Sequence, residues 1–214
     1  MRFIIITLLP DMVQAYLNSS MMWKASKDGL AKFDVIDLRK FGIGPRRTVD
    51  DTPYGGGDGM LLMIEPLKAA LDEARKRLPN GKILLMSPSE HIWSQFDARE
   101  YANNNKDYII ICGRYEGFDA RILDYVDEVI SIGKYVLTGG ELPALIVVDS
   151  IVRLIPGVLG GEKSAEIESY SEGSNIEFPQ YTRPEVFDKR KVPKVLLSGD
   201  HAKIAKWREV NSIK

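Results

Sequence analysis

The sequence has few of the residues that form disulfides and metal sites. Its 214 residues include one cysteine, Cys112, and two histidines, His91 and His201. A single cysteine cannot form a disulfide within the chain, and the apolar neighbours of Cys112 favour a buried strand position. Neither histidine lies in a glycine-rich or carboxylate-rich stretch that is typical of a general base. We therefore expect an intracellular, cytoplasmic protein in which any proton transfer uses carboxylates.

Several motifs of common enzyme classes are also absent. There is no phosphate-binding loop, no His-Glu-x-x-His zinc motif and no Gly-x-Ser-x-Gly element, which argues against P-loop nucleotide hydrolysis, zinc catalysis and serine hydrolysis. The 29 basic and 30 acidic residues leave no excess of one charge, so any contact with nucleic acid must be local. The apolar run over residues 3–8 is too short to span a membrane and precedes no signal cleavage site, so it predicts a β-strand and no membrane association.

Apolar runs rich in β-branched residues alternate with helical patterns along the chain. The predicted strands cover residues 3–8, 33–38, 82–86, 108–112 and 128–132. A helix is predicted over residues 65–78, and this alternation is typical of an α/β fold with a parallel sheet. Residues 141–155 are apolar on nearly all sides of a predicted helix. Such a helix is buried on most sides, either as a central core helix or in a subunit interface.

The composition changes after residue 156. Residues 157–180 are rich in glycine, serine and glutamate without periodicity, which predicts a long loop. From residue 183 to the end there are nine basic residues and four acidic ones. This balance suits contact with phosphate groups, and it equally suits a solvated charged helix.

Glycine-rich segments are the most informative part of the sequence. They cover residues 54–59, 112–117 and 130–141, and the last two each follow a predicted strand. Ligands of open parallel sheets bind at the carboxyl ends of strands, and glycines let the backbone approach a ligand closely. The three segments therefore predict one ligand pocket bounded by backbone amides and carbonyls, although flexible turns use the same residues.

Six segments in order along the chain resemble one family. They read PRRTVDDTPYGGGDGM, CGRYEGFD, SIGKYVLTGGELP, RLIPGVLG, YTRPE and LSGDHAKIAKWR, starting at residues 45, 112, 131, 153, 181 and 197. Together they resemble the bacterial tRNA (guanine-N(1)-)-methyltransferases, the TrmD family of the SPOUT class of knotted RNA methyltransferases. The resemblance implies that S-adenosylmethionine is the methyl donor. It also implies that the substrate is tRNA, methylated on ring nitrogen 1 of the guanosine at position 37, next to the anticodon.

The resemblance also implies an architecture. It implies a Rossmann-like parallel sheet domain with a deep trefoil knot over residues 1–156 and a flexible linker with the catalytic base over residues 157–180. A small, basic, helical segment over residues 181–214 would bind tRNA. Family members are homodimers with the active site at the subunit interface, where the apolar helix 141–155 would then lie.

The resemblance assigns site residues position by position. For tRNA these are Arg46, Arg114 and Arg183. The cofactor pocket would be lined by Leu85, Met86, Ser87, Pro88, Gly113, Tyr115, Glu116, Ile132, Gly133, Lys134, Tyr135, Val136, Leu137, Gly139, Gly140 and Pro143.

Methylation of guanine at ring nitrogen 1 needs a base for its proton and a cation beside the neighbouring carbonyl oxygen. By resemblance Arg153 is the cation. Glu168 takes the position of the family's catalytic aspartate, and Glu177 is the alternative base. No cluster has the spacing of a metal site, and if Mg²⁺ assists, Glu116, Glu168 and Glu177 are its candidate ligands.

Two alternatives to this function stay open at this point. One is a knotted RNA methyltransferase with a different target base. The other is a catalytically poor RNA-binding protein that keeps the fold and the cofactor pocket, which the change from aspartate to Glu168 would favour.

Overall fold

The chain divides into two units, Met1–Leu159 and Gly160–Lys214. In this computed structural model the described residues are 1–160, 168–170 and 176–212. Residues 161–167 and 171–175 of the predicted linker lie outside them. Within the described residues, no helix is both long and apolar enough to cross a membrane.

A parallel sheet forms the centre of the first unit. The strands of this unit are β1 (Arg2–Thr7), β2 (Lys32–Asp37), β3 (Asp50–Asp51), β4 (Leu61–Leu62), β5 (Lys82–Met86), β6 (Tyr108–Cys112) and β7 (Glu128–Ile130). Five of them form one sheet in the order β2-β1-β6-β5-β7, in which every neighbouring pair is parallel, whereas β3 and β4 form a separate antiparallel pair. The predicted α/β class with a parallel sheet is confirmed. The strand predicted over 128–132 ends at Ile130, because Ser131 already bridges to Ile92 outside the sheet.

Helices cover both faces of this sheet. They are α1 (Pro10–Leu17), α2 (Ser20–Lys27), α3 (Ile64–Arg77), α4 (Gln95–Asn103) and α5 (Glu141–Val152). Alternate residues of each strand point to opposite faces, so Phe3 and Ile5 pack among residues of α1, α2 and α5, whereas Ile4 and Ile6 pack among residues of α3. Because both faces are covered, the central strands are continuous apolar runs.

Helix α5 is buried on its sheet side and partly exposed on the other. Most of its apolar side chains lie in the core, but Leu142 and Ile146 are 51% and 47% exposed. Asp149, one turn further along, accepts a hydrogen bond from the phenol of Tyr16 on α1. That hydrogen bond, with burial, raises the pKa of Tyr16 to about 12. The helix ends at Val152, three residues before the predicted end.

The second unit contains short elements. These are β8 (Val186–Phe187), β9 (Arg190–Lys191) and α6 (His201–Asn211). Asp200 caps α6 by accepting a hydrogen bond from the backbone N–H of Lys203. The trefoil knot and the three-part division of the chain, both implied by the resemblance, stay predictions.

A polar cluster joins the starts of β5 and β7 to α4. The carboxylate of Glu128 accepts hydrogen bonds from the ammonium of Lys82 and the phenol of Tyr101. His91 lies 3.8 Å from the Glu128 carboxylate and 3.1 Å from that of Asp97. The sequence did not indicate that His91 lies between two carboxylates, because Glu128 is distant from it in the sequence and Asp97 belongs to the helix α4. Burial opposes ionisation of Glu128, but its hydrogen bonds outweigh burial and hold its pKa below the usual value.

We expect Glu128→Gln to lower the free energy of unfolding by about 1 kcal/mol at pH 7, because the ammonium of Lys82 loses its charged partner. The pKa of Glu128 is lower in the folded chain than in the unfolded chain. Its contribution is therefore present above the unfolded pKa and is lost as the pH falls through the folded pKa. Urea unfolding at pH 7 and at pH 3 measures both effects.

The matched control for this prediction is Glu73→Gln. Glu73 forms an exposed pair with Arg77 on the surface of α3. Exposed pairs of this kind contribute little, so the control is expected to leave the urea midpoint unchanged within error. Equal losses of stability in the two variants would contradict the assigned role of Glu128.

Candidate functional site

A cavity of about 180 Å³ lies at the carboxyl ends of β5, β6 and β7. These three strands are neighbours in the sheet, so the segments that follow them meet at one edge. The walls are three stretches of chain, residues 86–88, 113–118 and 130–140, together with Pro143 of α5. The sequence-predicted pocket at this edge of the sheet therefore corresponds to a real cavity.

Two walls of the cavity touch through their backbones. The N–H of Gly140 donates a hydrogen bond of 2.8 Å to the carbonyl of Gly113. A Cβ atom on Gly140 would lie 2.5 Å from the nitrogen of Gly113, closer than any side chain tolerates. A Cβ on Gly139 would lie 2.5 Å from the Glu141 carboxylate. Glycine is required at residue 140 because backbone atoms fill the space of a side chain, whereas a side chain at residue 139 would displace the side chains of Glu141 and Arg114.

An ion pair lies behind this backbone contact. Glu141 is buried in the first turn of α5 and accepts a hydrogen bond of 2.9 Å from the hydroxyl of Thr7, at the end of β1. The other Glu141 oxygen lies 3.7 Å from Nε of Arg114. Arg114 in turn donates a hydrogen bond of 2.8 Å to the carbonyl of Thr138. These contacts join β1, α5 and two walls of the cavity.

Tyr115 forms part of the cavity wall in an unusual backbone conformation. Its φ of 58° lies in the left-handed region, which non-glycine residues seldom adopt. The phenol lies near the charged side chains of Asp50 and Arg39. Burial, and then the charge of Asp50, raise the pKa of the phenol. The Asp50–Asp51 strand is thereby connected to the cavity.

The first glycine-rich segment, residues 54–59, does not line the cavity, and this part of the sequence-based expectation is wrong. The backbone of β4, just after it, pairs with residues 117–119, so the segment lies outside that wall. Gly59 still packs on the wall, since a Cβ there would lie 2.4 Å from the side chain of Glu116. Its effect on the cavity is therefore indirect.

Most of the residues assigned to the cofactor pocket line this one cavity. The exceptions are Leu85, which is buried in the core against α3, and Lys134. Leu85 alternates with Met86 along β5, so its side chain points to the opposite face of the sheet. The cavity also has wall residues that the sequence did not assign to the cofactor. They are Arg114, Gly117, Phe118, Ile130, Ser131 and Thr138.

The predicted catalytic residues belong to different units. Arg153 directly follows α5 in the first unit, and Glu168 belongs to the second. In the second unit Glu177 accepts a hydrogen bond from Gln180, and its backbone N–H donates one to Ser169.

The residues predicted to contact tRNA also differ in their surroundings. Arg46 and Arg183 are exposed in their own units. Arg114 instead lies in the cavity wall.

Residues 1–160, 168–170 and 176–212 contain no group of three or more His, Cys, Asp or Glu side chains placed to hold a metal ion. Cys112 is fully buried at the end of β6, and burial raises the pKa of its thiol. A buried thiol with a raised pKa is a poor nucleophile. The structural role predicted for Cys112 agrees with this placement.

Comparison with known proteins agrees with the fold and identifies the family. A family model described as tRNA (Guanine-1)-methyltransferase TrmD matches residues 1–214. The chain belongs to the TrmD family. The tRNA (guanine-N(1)-)-methyltransferase of Myxococcus xanthus is 48% identical over 209 residues, which are 98% of this chain and 84% of that protein. The enzyme of the same name from Pseudoalteromonas translucida is 49% identical over 211 residues, covering 98% and 82%.

A solved structure of a TrmD-family protein is similar throughout. The crystal structure of tRNA (m1G37) methyltransferase from Aquifex aeolicus matches 97% of this chain and 87% of that one, with a TM-score of 0.81 and 36% identity. This confirms the predicted family and the predicted SPOUT fold class. It also confirms the enzyme class, since TrmD proteins are transferases that use S-adenosylmethionine.

We expect Gly140→Ala to lower the free energy of unfolding by about 1–3 kcal/mol, because its methyl group overlaps the backbone of Gly113. Gly160→Ala is the control, since a Cβ at Gly160 would meet no atom within 4 Å. Urea unfolding of both variants measures the difference. Equal stability of Gly140→Ala and the control would contradict the close contact between the backbones of the two walls.

Proposed function

We propose that this protein transfers the methyl group of S-adenosylmethionine to ring nitrogen 1 of guanosine 37 in tRNA. The observation that carries the proposal is the cavity at the carboxyl ends of β5, β6 and β7, in a chain of the TrmD family. The Aquifex aeolicus relative, named for the same modified position, supports the choice of position 37.

The cavity suits S-adenosylmethionine. Its walls combine aliphatic and aromatic side chains with glycines, which let a ligand approach the backbone closely. A flat, largely uncharged base such as adenine is bound by walls of this kind. Tyr135 and Val136 are 57% and 87% exposed at the cavity, which leaves apolar surface for a ligand to cover. When bound, the cofactor supplies the methyl group on its positively charged sulfur.

The chain's own residues handle the charge and the proton of guanine. Glu168 accepts the proton from ring nitrogen 1, which frees the lone pair that attacks the methyl group. The guanidinium of Arg153 stabilises the negative charge that develops on the neighbouring carbonyl oxygen. A glutamate is one methylene longer than an aspartate, so the segment around Glu168 has to place the carboxylate slightly further back.

Basic and aromatic residues supply candidate contacts to tRNA. Arg46 and Arg183 are exposed, and we assign them to the phosphates of the RNA. In the second unit the guanidinium of Arg208 lies 4.8 Å from the ring centre of Phe178, next to Trp207. We propose that the second unit binds tRNA through a basic surface that includes Arg183 and Arg208.

We further propose a homodimer with the active site at the subunit interface. Helix α5 exposes Leu142 and Ile146 on one side, and α1 exposes Met12 and Tyr16. The hydrogen bond between Tyr16 and Asp149 holds the two helices together. A second copy of the chain would bury this apolar surface.

Methyl transfer to a tRNA transcript with guanosine 37 tests the proposal. We expect Glu168→Gln to lower kcat by about 10²-fold or more with little change in the Kd for S-adenosylmethionine, because the base acts only on the second substrate. Arg153→Lys should lower kcat by about 10²-fold, since lysine does not reproduce the guanidinium geometry. The control Glu177→Gln should keep kcat within about threefold of wild type.

Other outcomes would contradict parts of the proposal. Methylation of a transcript that carries adenosine 37, or of another nucleotide, would indicate a different target base. Binding of cofactor and tRNA without methyl transfer would indicate an RNA-binding protein. An active Glu168→Gln with an inactive Glu177→Gln would assign the base to Glu177.

A further inference from the structure

The buried carboxylate of Glu141 is held by contacts on both of its oxygens. Glu141 is 2% exposed, and one oxygen accepts the hydrogen bond from Thr7. The other oxygen faces Nε of Arg114 at 3.7 Å. A carboxylate removed from water needs a nearby cation or several donors, and Arg114 is the cation here.

Arg114 connects this buried acid to the cavity. Its side chain is 25% exposed, and it belongs to the cavity wall. The Nη1 atom donates to the carbonyl of Thr138 on the opposite wall, while Nε faces Glu141. One full positive charge therefore lies at the edge of the cavity, with one negative charge directly behind it.

We propose that Glu141 is a positioning residue that balances the charge of Arg114 and thereby lets the cavity accept a cationic cofactor. This inference rests on the proposed function. S-adenosylmethionine has a positively charged sulfonium group, whereas the product, S-adenosylhomocysteine, has a neutral thioether. Charges interact more strongly in a poorly solvated cavity than in water. With Glu141 present, Arg114 repels the sulfonium little, and Glu141 sets the preference for the methyl donor over the product.

The test compares the Kd of S-adenosylmethionine with the Kd of S-adenosylhomocysteine by titration calorimetry of the full-length protein. In Glu141→Gln the amide still accepts the hydrogen bond of Thr7, but the charge of Arg114 is no longer balanced. We expect the Kd of S-adenosylmethionine to rise about tenfold and that of S-adenosylhomocysteine to change less than about threefold. A merely structural role would raise both values by the same factor.

Three further variants separate charge from packing. Thr7→Val removes the hydroxyl but leaves both charges, so it should lower stability while the ratio of the two Kd values stays as in wild type. Glu141→Asp restores the charge and should restore most of the ratio. The double variant with Glu141→Gln and Arg114→Gln removes both charges, so the ratio of the two Kd values should return close to the wild-type value.

The outcomes are distinct from those of the proposed function. If the wild type binds neither compound, the proposed function is overturned, and this inference with it. If the wild type binds both and Glu141→Gln weakens them equally, only the charge-balancing role is overturned. Should Glu141→Gln fail to fold, Glu141→Met takes its place, since it keeps a side chain of similar size without the charge, and an unchanged ratio in that variant overturns the role.

Discussion

The contact between the backbones of Gly140 and Gly113 is the constraint on which the rest of the site depends. It brings the start of α5 against the end of β6 with no space for a side chain between them. Because α5 begins there, Glu141 reaches the buried space between Thr7 and Arg114. The segment before α5 then has to fold back over the ends of β5 and β6, and the cavity is the space that this fold encloses.

The elements of the first unit could be predicted because their signals are local. The strands at 82–86 and 108–112 are apolar apart from Lys82 at the start of the first, as expected for strands covered on both faces, and the structure has the same bounds. The predicted end of α5 lies three residues too late because Leu154 and Ile155 continue the apolar pattern after Arg153, and hydrophobic pattern alone cannot detect where the helix stops. The order of the strands in the sheet depends on long-range packing that no local pattern records.

Some parts of the site could likewise be predicted from the sequence, and others could not. Glycine segments after strands indicated a cavity at one edge of the sheet, and the resemblance assigned most of its wall. The expectation that residues 54–59 line the cavity is wrong because glycine content does not show on which side of the wall 113–118 this segment packs. Leu85 has a buried side chain because strand alternation turns it toward α3. The ion pair of Arg114 and Glu141, and the contact of His91 with Glu128, join residues too far apart in the sequence for any motif to connect them. Asp97 follows His91 by six residues and comes close to it because α4 starts between them.

We propose that this cavity is the cofactor pocket of a TrmD-family methyltransferase. A crystal structure of the protein with S-adenosylhomocysteine would show where the cofactor binds. We expect the ligand to lie between residues 86–88, 113–118 and 130–140, with its adenine held by backbone groups of these walls. A ligand bound elsewhere on the chain, with this cavity empty, would show that the cavity is not the cofactor pocket.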